Sequence, residues 1–327
     1  MDVRFVGPEG VELRDASELP ALLARPDGLV WVDIPEWDDE AEDVLTTVFG
    51  FHHLAVEDAA TRNHVPKMHR YSDHLFLVQF APHQGAKGHV HYIELDQFIG
   101  ERYLVTVHGP INPIVEQSAA MVETDAVLRR LEKGKLKPAN AFELSHAVLK
   151  ALATRTRGYL SELTKEVWEL ERQVSEGHLG NAEAFLDELF WVRHGLLTVS
   201  TMAATNREVC GRMVTIAAFG EGDRHALLED ITDRFQRLSV MADAQKGYLQ
   251  GAIEFYQART TTKMTVAAER LAMIAAVTAP ITAVSSVLGM NLIANAHTQW
   301  TAIWLAVALM VVLATVLLLW AKRRGFF

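Results

Sequence analysis

The chain has 327 residues, half of them hydrophobic, with 31 Lys and Arg against 41 Asp and Glu and a formal net charge of −10. That composition excludes an intrinsically disordered chain and leaves room for two or three domains. An acidic balance disfavours nucleic acid and favours cations as partners, although solubility alone gives the same balance.

Cys210 is the single cysteine, so an intramolecular disulfide framework is excluded and a reducing compartment fits. The first residues, MDVRFVGPEG, have neither the basic nor the apolar stretch of a signal peptide. Proline then divides the chain: nine of the ten lie at or before Pro138 and the tenth is Pro280. Within the first part, DDEAEDVLTTVFG (38–50) reads as a helix with an acidic start, ending near Gly50. FLVQFAP (76–82), HVHYIEL (89–95) and RYLVTVH (102–108) read as strands, with β-branched and aromatic residues at period two. Residues 1–138 are therefore expected to form a small α/β domain.

The proline-free remainder reads as helix. One helix is expected over about Ala141–Val174 and another over about Ala182–Met213, with a Gly-containing break at Gly220–Asp223. After the break, Leu228, Ile231, Phe235, Leu238, Ala242, Gln245, Leu249, Ala252 and Tyr256 recur at alternating spacings of three and four. This period suits a coiled-coil seam and equally the core of a helix bundle. Only Gly247 and Gly251 interrupt the pattern before the next apolar run, so a helix of about 68 residues, roughly 100 Å long, is expected. Residues 139–269 thus form a helical bundle and stalk.

Residues 270–327 read as a transmembrane hairpin. Spans over about 271–291 and 301–320 each hold some 20 uncharged residues, enough helix to cross about 30 Å of hydrocarbon. Trp300 and Trp320 bracket the second span as an interfacial belt does. Arg259, Lys263 and Arg270 precede the first span and Lys322, Arg323 and Arg324 follow the second, while the connecting segment has no basic residue. The positive-inside rule then puts both termini and the body in the cytoplasm, in a multi-pass protein of the cell membrane. The second span is rich in Leu, Val and Ala. The first carries Thr278, Thr282, Ser285 and Ser286 around Pro280, groups tolerated where they face other helices or a watery path. One such helix cannot enclose a pore but several copies can, so the sequence asks for an oligomer.

Gly289-Met290-Asn291 closes the first span. With an acidic α/β body, a helical stalk and one further span after it, this motif resembles the CorA family of divalent-cation channels. Other stretches agree: WVDIPEW (31–37), the H-x-L-x-x-E-D and P-K-x-x-x-Y elements within residues 49–80, and LLEDITDRFQRL (227–238). The resemblance covers essentially the whole chain. It implies a homopentameric funnel whose first spans line a pore, with Gly289, Met290 and Asn291 as the filter and Gly289 letting the chain turn at the helix end. A ring of Asn291 amide oxygens can hydrogen-bond the shell of a small hard ion that releases water reluctantly. Matched position by position, Thr282 is the pore threonine, Leu271 an apolar constriction, and Thr265 stands at the cytoplasmic mouth where the family commonly has Asn. Asp58, with Glu57 beside it, and Asp230 match a regulatory cytoplasmic metal site, and Glu254 a lower acidic position. Loss of the ion would let like charges repel and loosen an interface.

The resemblance implies a passive Mg²⁺ channel, also passing Co²⁺ or Ni²⁺, in which Mg²⁺ is both cargo and regulator. Two features leave the ion open. LIANAHTQW (292–300) holds no acid where the family often has one, and the zinc-transporting ZntB branch also tends to lack it. Nine of 14 histidines lie between His52 and His108, with His89 and His91 on one strand face, and imidazole favours zinc. His297 in the outer segment could add a ring. A Zn²⁺ transporter of the ZntB type and a non-conducting, membrane-anchored metal sensor therefore stand as alternatives. No nucleophile elbow, zincin motif, Walker loop or dinucleotide fingerprint occurs, so an enzyme is not expected.

Overall fold

In the computed structural model, which describes residues 1–109, 112–177, 181–216, 223–292 and 300–323, the strand patterns pair into one seven-stranded sheet. Its strands are β1 (Asp2–Gly7), β2 (Gly10–Arg14), β3 (Leu29–Ile34), β4 (Lys67–Arg70), β5 (Leu75–Gln84), β6 (Val90–Ile99) and β7 (Tyr103–Val107), in the order β2-β1-β3-β7-β6-β5-β4. Every pairing is antiparallel except β3 with β7. The three strands expected from periodicity are β5, β6 and β7. The edge strands β2 and β4 and the inner strands β1 and β3 were not legible, because β1, β2 and β4 are short and half-buried and β3 is buried throughout, so none shows a clear alternation.

The described helices are α1 (Leu19–Leu23), α2 (Asp39–Asp43), α3 (His53–Ala60), α4 (Gln117–Ala120), α5 (Val122–Glu132), α6 (Ala141–Glu176), α7 (Ala182–Val214), α8 (Asp223–Leu292) and α9 (Trp300–Arg323). The acidic helix over 38–50 is α2, N-capped by Asp38, whose carboxylate accepts from Ala41 N–H at 2.8 Å. A π-type turn over Val44–Val48 continues it, and Gly50 follows at φ 66°. One sheet face buries Val30, Val32, Ile34, Phe76, Val78, Phe80 and Phe98 against Leu19 and Leu22 of α1, Ala41 of α2 and Ala55, Val56 and Ala59 of α3. The other face carries polar ties to the long helices. Ser145 Oγ donates to Gln97 Oε1 at 2.7 Å, and Asn206 Nδ2 donates to the Phe80 carbonyl at 2.9 Å.

Local sequence sets the ends of α6 and α7. Asn140 caps α6 by accepting from Glu143 N–H at 2.9 Å, and Gly177 ends it in the left-handed region at φ 76°. Asn181 caps α7 by accepting from Glu183 N–H at 3.0 Å. The break expected at Gly220–Asp223 falls mainly outside the described residues.

The three-four seam of α8 proves to be a bundle core inside one chain. Leu228, Ile231, Phe235, Leu238, Ala242, Leu249 and Ala252 are buried, and Gln245 and Tyr256 half-buried. Polar contacts mark the neighbours: His146 of α6 lies 3.5 Å from Asp230, and Ser200 of α7 donates to Asp243 at 2.9 Å. The chain divides into two compact units, Met1–Ala252 and Ile253–Phe327.

Candidate functional site

Helix α8 runs to Leu292, so its last three turns determine what the Ile253–Phe327 unit can present. Pro280 lies inside it and removes one backbone donor. Gly289, expected to turn the chain, is helical: α8 continues through it and its φ is not positive. A lone Gly costs a helix only about 1 kcal/mol, and no proline follows before Leu292 to stop it. For Met290 and Asn291 only the backbone is described. The uncharged segment after Leu292, with His297, lies outside the described residues.

Burial divides α8 into two faces. Met273, Val277, Pro280, Ile281 and Val284 are half-buried. On α9 the covered stripe is Ile303, Ala306, Met310, Leu313, Ala314 and Leu317. Both stripes are apolar at helical spacing. Roughly opposite the covered stripe of α8 stand Leu271, Ala275, Thr278, Thr282, Ser286 and Gly289, all exposed. At 3.6 residues per turn these six positions fall within about 80° of arc. The hydroxyls therefore lie on the face opposite the half-buried stripe.

Thr282 Oγ1 donates to the Thr278 carbonyl at 2.9 Å, and Thr278 Oγ1 donates to the Ile274 carbonyl at 2.8 Å. Each hydroxyl has spent its proton on its own helix, so what it offers outward is lone pairs. Thr265 does the same with the Thr261 carbonyl at 3.0 Å, but sits about 100° round the helix from Thr282. Leu271 is 67% exposed, a bare apolar side chain on the hydroxyl face. Position 291 falls about 180° from position 282 in a continuous helix. The structure thus aligns Leu271, Thr282 and Gly289 on one face and leaves Thr265 and position 291 off it.

The acids of the Met1–Ala252 unit are occupied by cations of the same chain. Asp58 of α3 pairs with Lys67 of β4, Nζ to Oδ1 at 2.5 Å, and Glu57 beside it is exposed. Asp230 of α8 accepts from Arg234 Nε at 2.8 Å, and that guanidinium holds its carboxyl below the ordinary value. His146 also approaches Asp230, and burial pushes the His146 imidazole towards its neutral form. Glu254, in the other unit, is exposed on α8. Sequence reasoning missed Lys67 and Arg234 as partners; the i,i+4 spacing of Asp230 and Arg234 was a readable signal, whereas Lys67 reaches Asp58 only through the fold.

Two further clusters emerge. His83 stands opposite His91 in the β5–β6 register, their ring centroids 6.3 Å apart, and His89 lies 4.7 Å from His91. Arg155 contacts His83 Nδ1 at 3.3 Å, and among the described residues no three His, Cys, Asp or Glu side chains are grouped to hold a metal. On β6, Glu94 and Asp96 are buried on the α3 side. Glu94 accepts from Asn63 N–H at 2.9 Å, while both Asp96 oxygens lack a hydrogen-bond partner and burial raises its carboxyl well above the ordinary range.

Comparison with known proteins covers the whole length. Residues 26–323 match the family described as CorA-like Mg2+ transporter protein. The complete structure of the CorA magnesium transporter from Methanocaldococcus jannaschii superposes with a TM-score of 0.81 at 17% identity, covering 100% of this chain and 99% of that one. Full-length CmaX superposes with a TM-score of 0.76 at 18% identity, covering 99% and 97%. The ZntB cytoplasmic domain from Vibrio parahaemolyticus RIMD 2210633 gives 0.59 at 9% identity, covering 80% and 98%. No curated protein matches the chain in sequence.

Proposed function

The chain belongs to the CorA family of divalent-cation transporters, which are not enzymes, and on that premise we propose that it forms a passive Mg²⁺ channel gated by cytoplasmic divalent ions. The observation that carries this reading is the hydroxyl-bearing face of α8 opposite its half-buried stripe. Hydroxyls along one face of a span suit a watery path or other helices, which supports further copies of the chain around an axis. Five copies, as the resemblance implies, would close a pore lined by Leu271, Thr282 and Gly289, with Met290 and Asn291 at the outer mouth and Thr265 towards the cytoplasm. Residues 1–138 and 139–269 form the cytoplasmic body and stalk in this reading, and 270–327 the membrane hairpin with both ends inside. Acceptor oxygens suit Mg²⁺, which keeps its water and offers outward-pointing hydrogens. Position 291 joins the Thr282 face only if the chain leaves the helix near Gly289. The inside-negative potential supplies about 2.3 kcal/mol per charge per 100 mV, so no ATP site is required.

Regulation would use Asp58 with Glu57, Asp230 and Glu254. A divalent ion shared between copies must displace the Lys67 ammonium from Asp58 and the Arg234 guanidinium from Asp230. Both pairs are partly exposed, which keeps that displacement inexpensive.

A Zn²⁺ transporter of the ZntB type is the second reading, favoured by the His83–His91 cross-strand pair with His89 beside it and by the acid-free segment after Leu292. Uptake of Mg²⁺ and Zn²⁺ into proteoliposomes holding the purified chain separates them. Mg²⁺ entry that Asn291→Ala abolishes supports the channel. Zn²⁺ entry alone moves the protein to the zinc reading, and no flux of either ion from intact oligomers, with internal Mg²⁺ removed, leaves a metal sensor.

A further inference from the structure

The hydroxyl face of α8 holds two hydroxyls that the channel reading does not use, Thr278 and Ser286, and Thr278 makes the same internal bond as Thr282. Thr278 lies four residues before Thr282, about 6 Å along the helix axis. It is exposed on the same face, and its proton is committed to the Ile274 carbonyl at 2.8 Å just as that of Thr282 is to the Thr278 carbonyl at 2.9 Å. Both oxygens are therefore acceptors towards whatever the face meets. Met273, Val277, Pro280, Ile281 and Val284 are the half-buried residues of this stretch, so both threonines stand off the covered stripe.

We infer that Thr278 and Thr282 of each copy form two stacked acceptor rings that hold one fully hydrated divalent cation between them. The inference rests on the channel reading and adds to it a binding site and a residue that governs what passes. Its geometry follows from two lengths. A hydrated Mg²⁺ carries its waters at 2.0–2.1 Å, so opposite water oxygens are about 4 Å apart. Rings about 6 Å apart put acceptors roughly 3 Å above and below the ion centre, where the hydrogens of the upper and lower waters point outward. With no free donor in either ring the site repels anions and binds a cation through its water, without stripping it. Thr315 of α9 makes the same internal bond, to the Val311 carbonyl at 2.7 Å, and is exposed on the helix without the hydroxyl face. It controls for the effect of removing such a bond from a membrane helix.

The test is initial Mg²⁺ uptake into proteoliposomes as a function of external Mg²⁺, for the full-length chain and for Thr278→Val, Thr278→Ser, Thr282→Val and Thr315→Val. Valine keeps the shape and removes the acceptor. Thr278→Val is expected to raise the half-saturating concentration and to lower the maximal rate about tenfold, the value of one charge-assisted hydrogen bond. Thr278→Ser returns both to within about twofold of the original, and Thr315→Val changes neither. Thr278→Val with unaltered half-saturation and rate, beside an impaired Thr282→Val, overturns the second ring and leaves the channel standing. Loss of rate that serine does not rescue overturns it too, because a structural role then suffices. Absence of Mg²⁺ flux in the unaltered chain brings down the channel reading and this inference with it.

Discussion

The two units of this chain treat their side chains in opposite ways. From Met1 to Ala252 the chain supplies its own partners: Asp33 has His108 at 2.9 Å and Thr106 at 2.5 Å, Glu123 has Arg155 at 3.2 Å, and the seam of α8 is buried within one copy. From Ile253 to Phe327 it leaves them open: Leu271, Ile274, Trp304 and Leu305 are at least 60% exposed, and a row of threonines stands opposite the half-buried stripe of α8. The first unit satisfies most of its buried charges internally, whereas the second leaves long apolar faces bare, as the proposed channel requires. One helix, α8, belongs to both regimes, so the change is set by composition around Ala252 and not by a break in secondary structure.

The comparison can be broken most forcefully at Arg155. Replacing it by Met strands Glu123, which is 2% exposed, and is expected to cost the full-length protein about 3–5 kcal/mol in denaturant unfolding. A small loss would mean that the first unit does not depend on its internal pairs.

Two phenylalanines of α8 sharpen the contrast. Phe235 is fully buried and Phe255 is 55% exposed. Phe235→Ala should cost about 3–5 kcal/mol, while Phe255→Ala should leave chain unfolding within about 0.5 kcal/mol and instead lower the oligomer mass by light scattering. Equal unfolding costs would mean that the exposed stretch of α8 is covered within one chain after all.

Asp96 marks where self-sufficiency fails. Burial holds its carboxyl well above the ordinary range, so it folds in as a neutral acid. The folded state then binds this proton more tightly than the unfolded chain does. The resulting stability is complete below the ordinary carboxyl value of about 3.9 and drains away as pH rises through the raised one. Asp96→Asn should reduce that decline by roughly 1–3 kcal/mol between pH 5 and 8 in thermal unfolding. An undiminished decline assigns it to Glu94 and Glu123, whose carboxyls burial also raises.

The smallest effect is expected at Lys67. Its pair with Asp58 is part-exposed, so Lys67→Met should change stability by less than about 1 kcal/mol. It should nevertheless lower, a few-fold, the Mg²⁺ concentration that protects the Met1–Ala252 unit from limited proteolysis, since the ion no longer competes with an ammonium group. Unaltered protection would disconnect Asp58 from divalent binding.

Much of this was legible in the residues. Uncharged runs of 20 residues announced two long apolar helical stretches, Asn140 and Gly177 bounded α6, and period two marked β5 to β7. The candidate site was legible as residue types: hydroxyls and a proline in the first span, Gly-Met-Asn after them, and acids at 57, 58 and 230. Their surroundings were not. Lys67 reaches Asp58 from a strand laid beside α3, and His83 meets His91 only through the β5–β6 register.

By itself, then, the sequence determined the kinds of element and the chemistry each stretch carries, because caps, periodicity and hydropathy act over a few residues. Tertiary structure alone decided that the α8 seam is an internal core, that Gly289 stays helical, and that the threonines of the first span stand opposite its half-buried stripe. Those outcomes depend on which surface a distant helix covers. A periodic face reads the same whether its partner lies in the same chain, in another copy or in lipid, so only the packed fold can tell them apart.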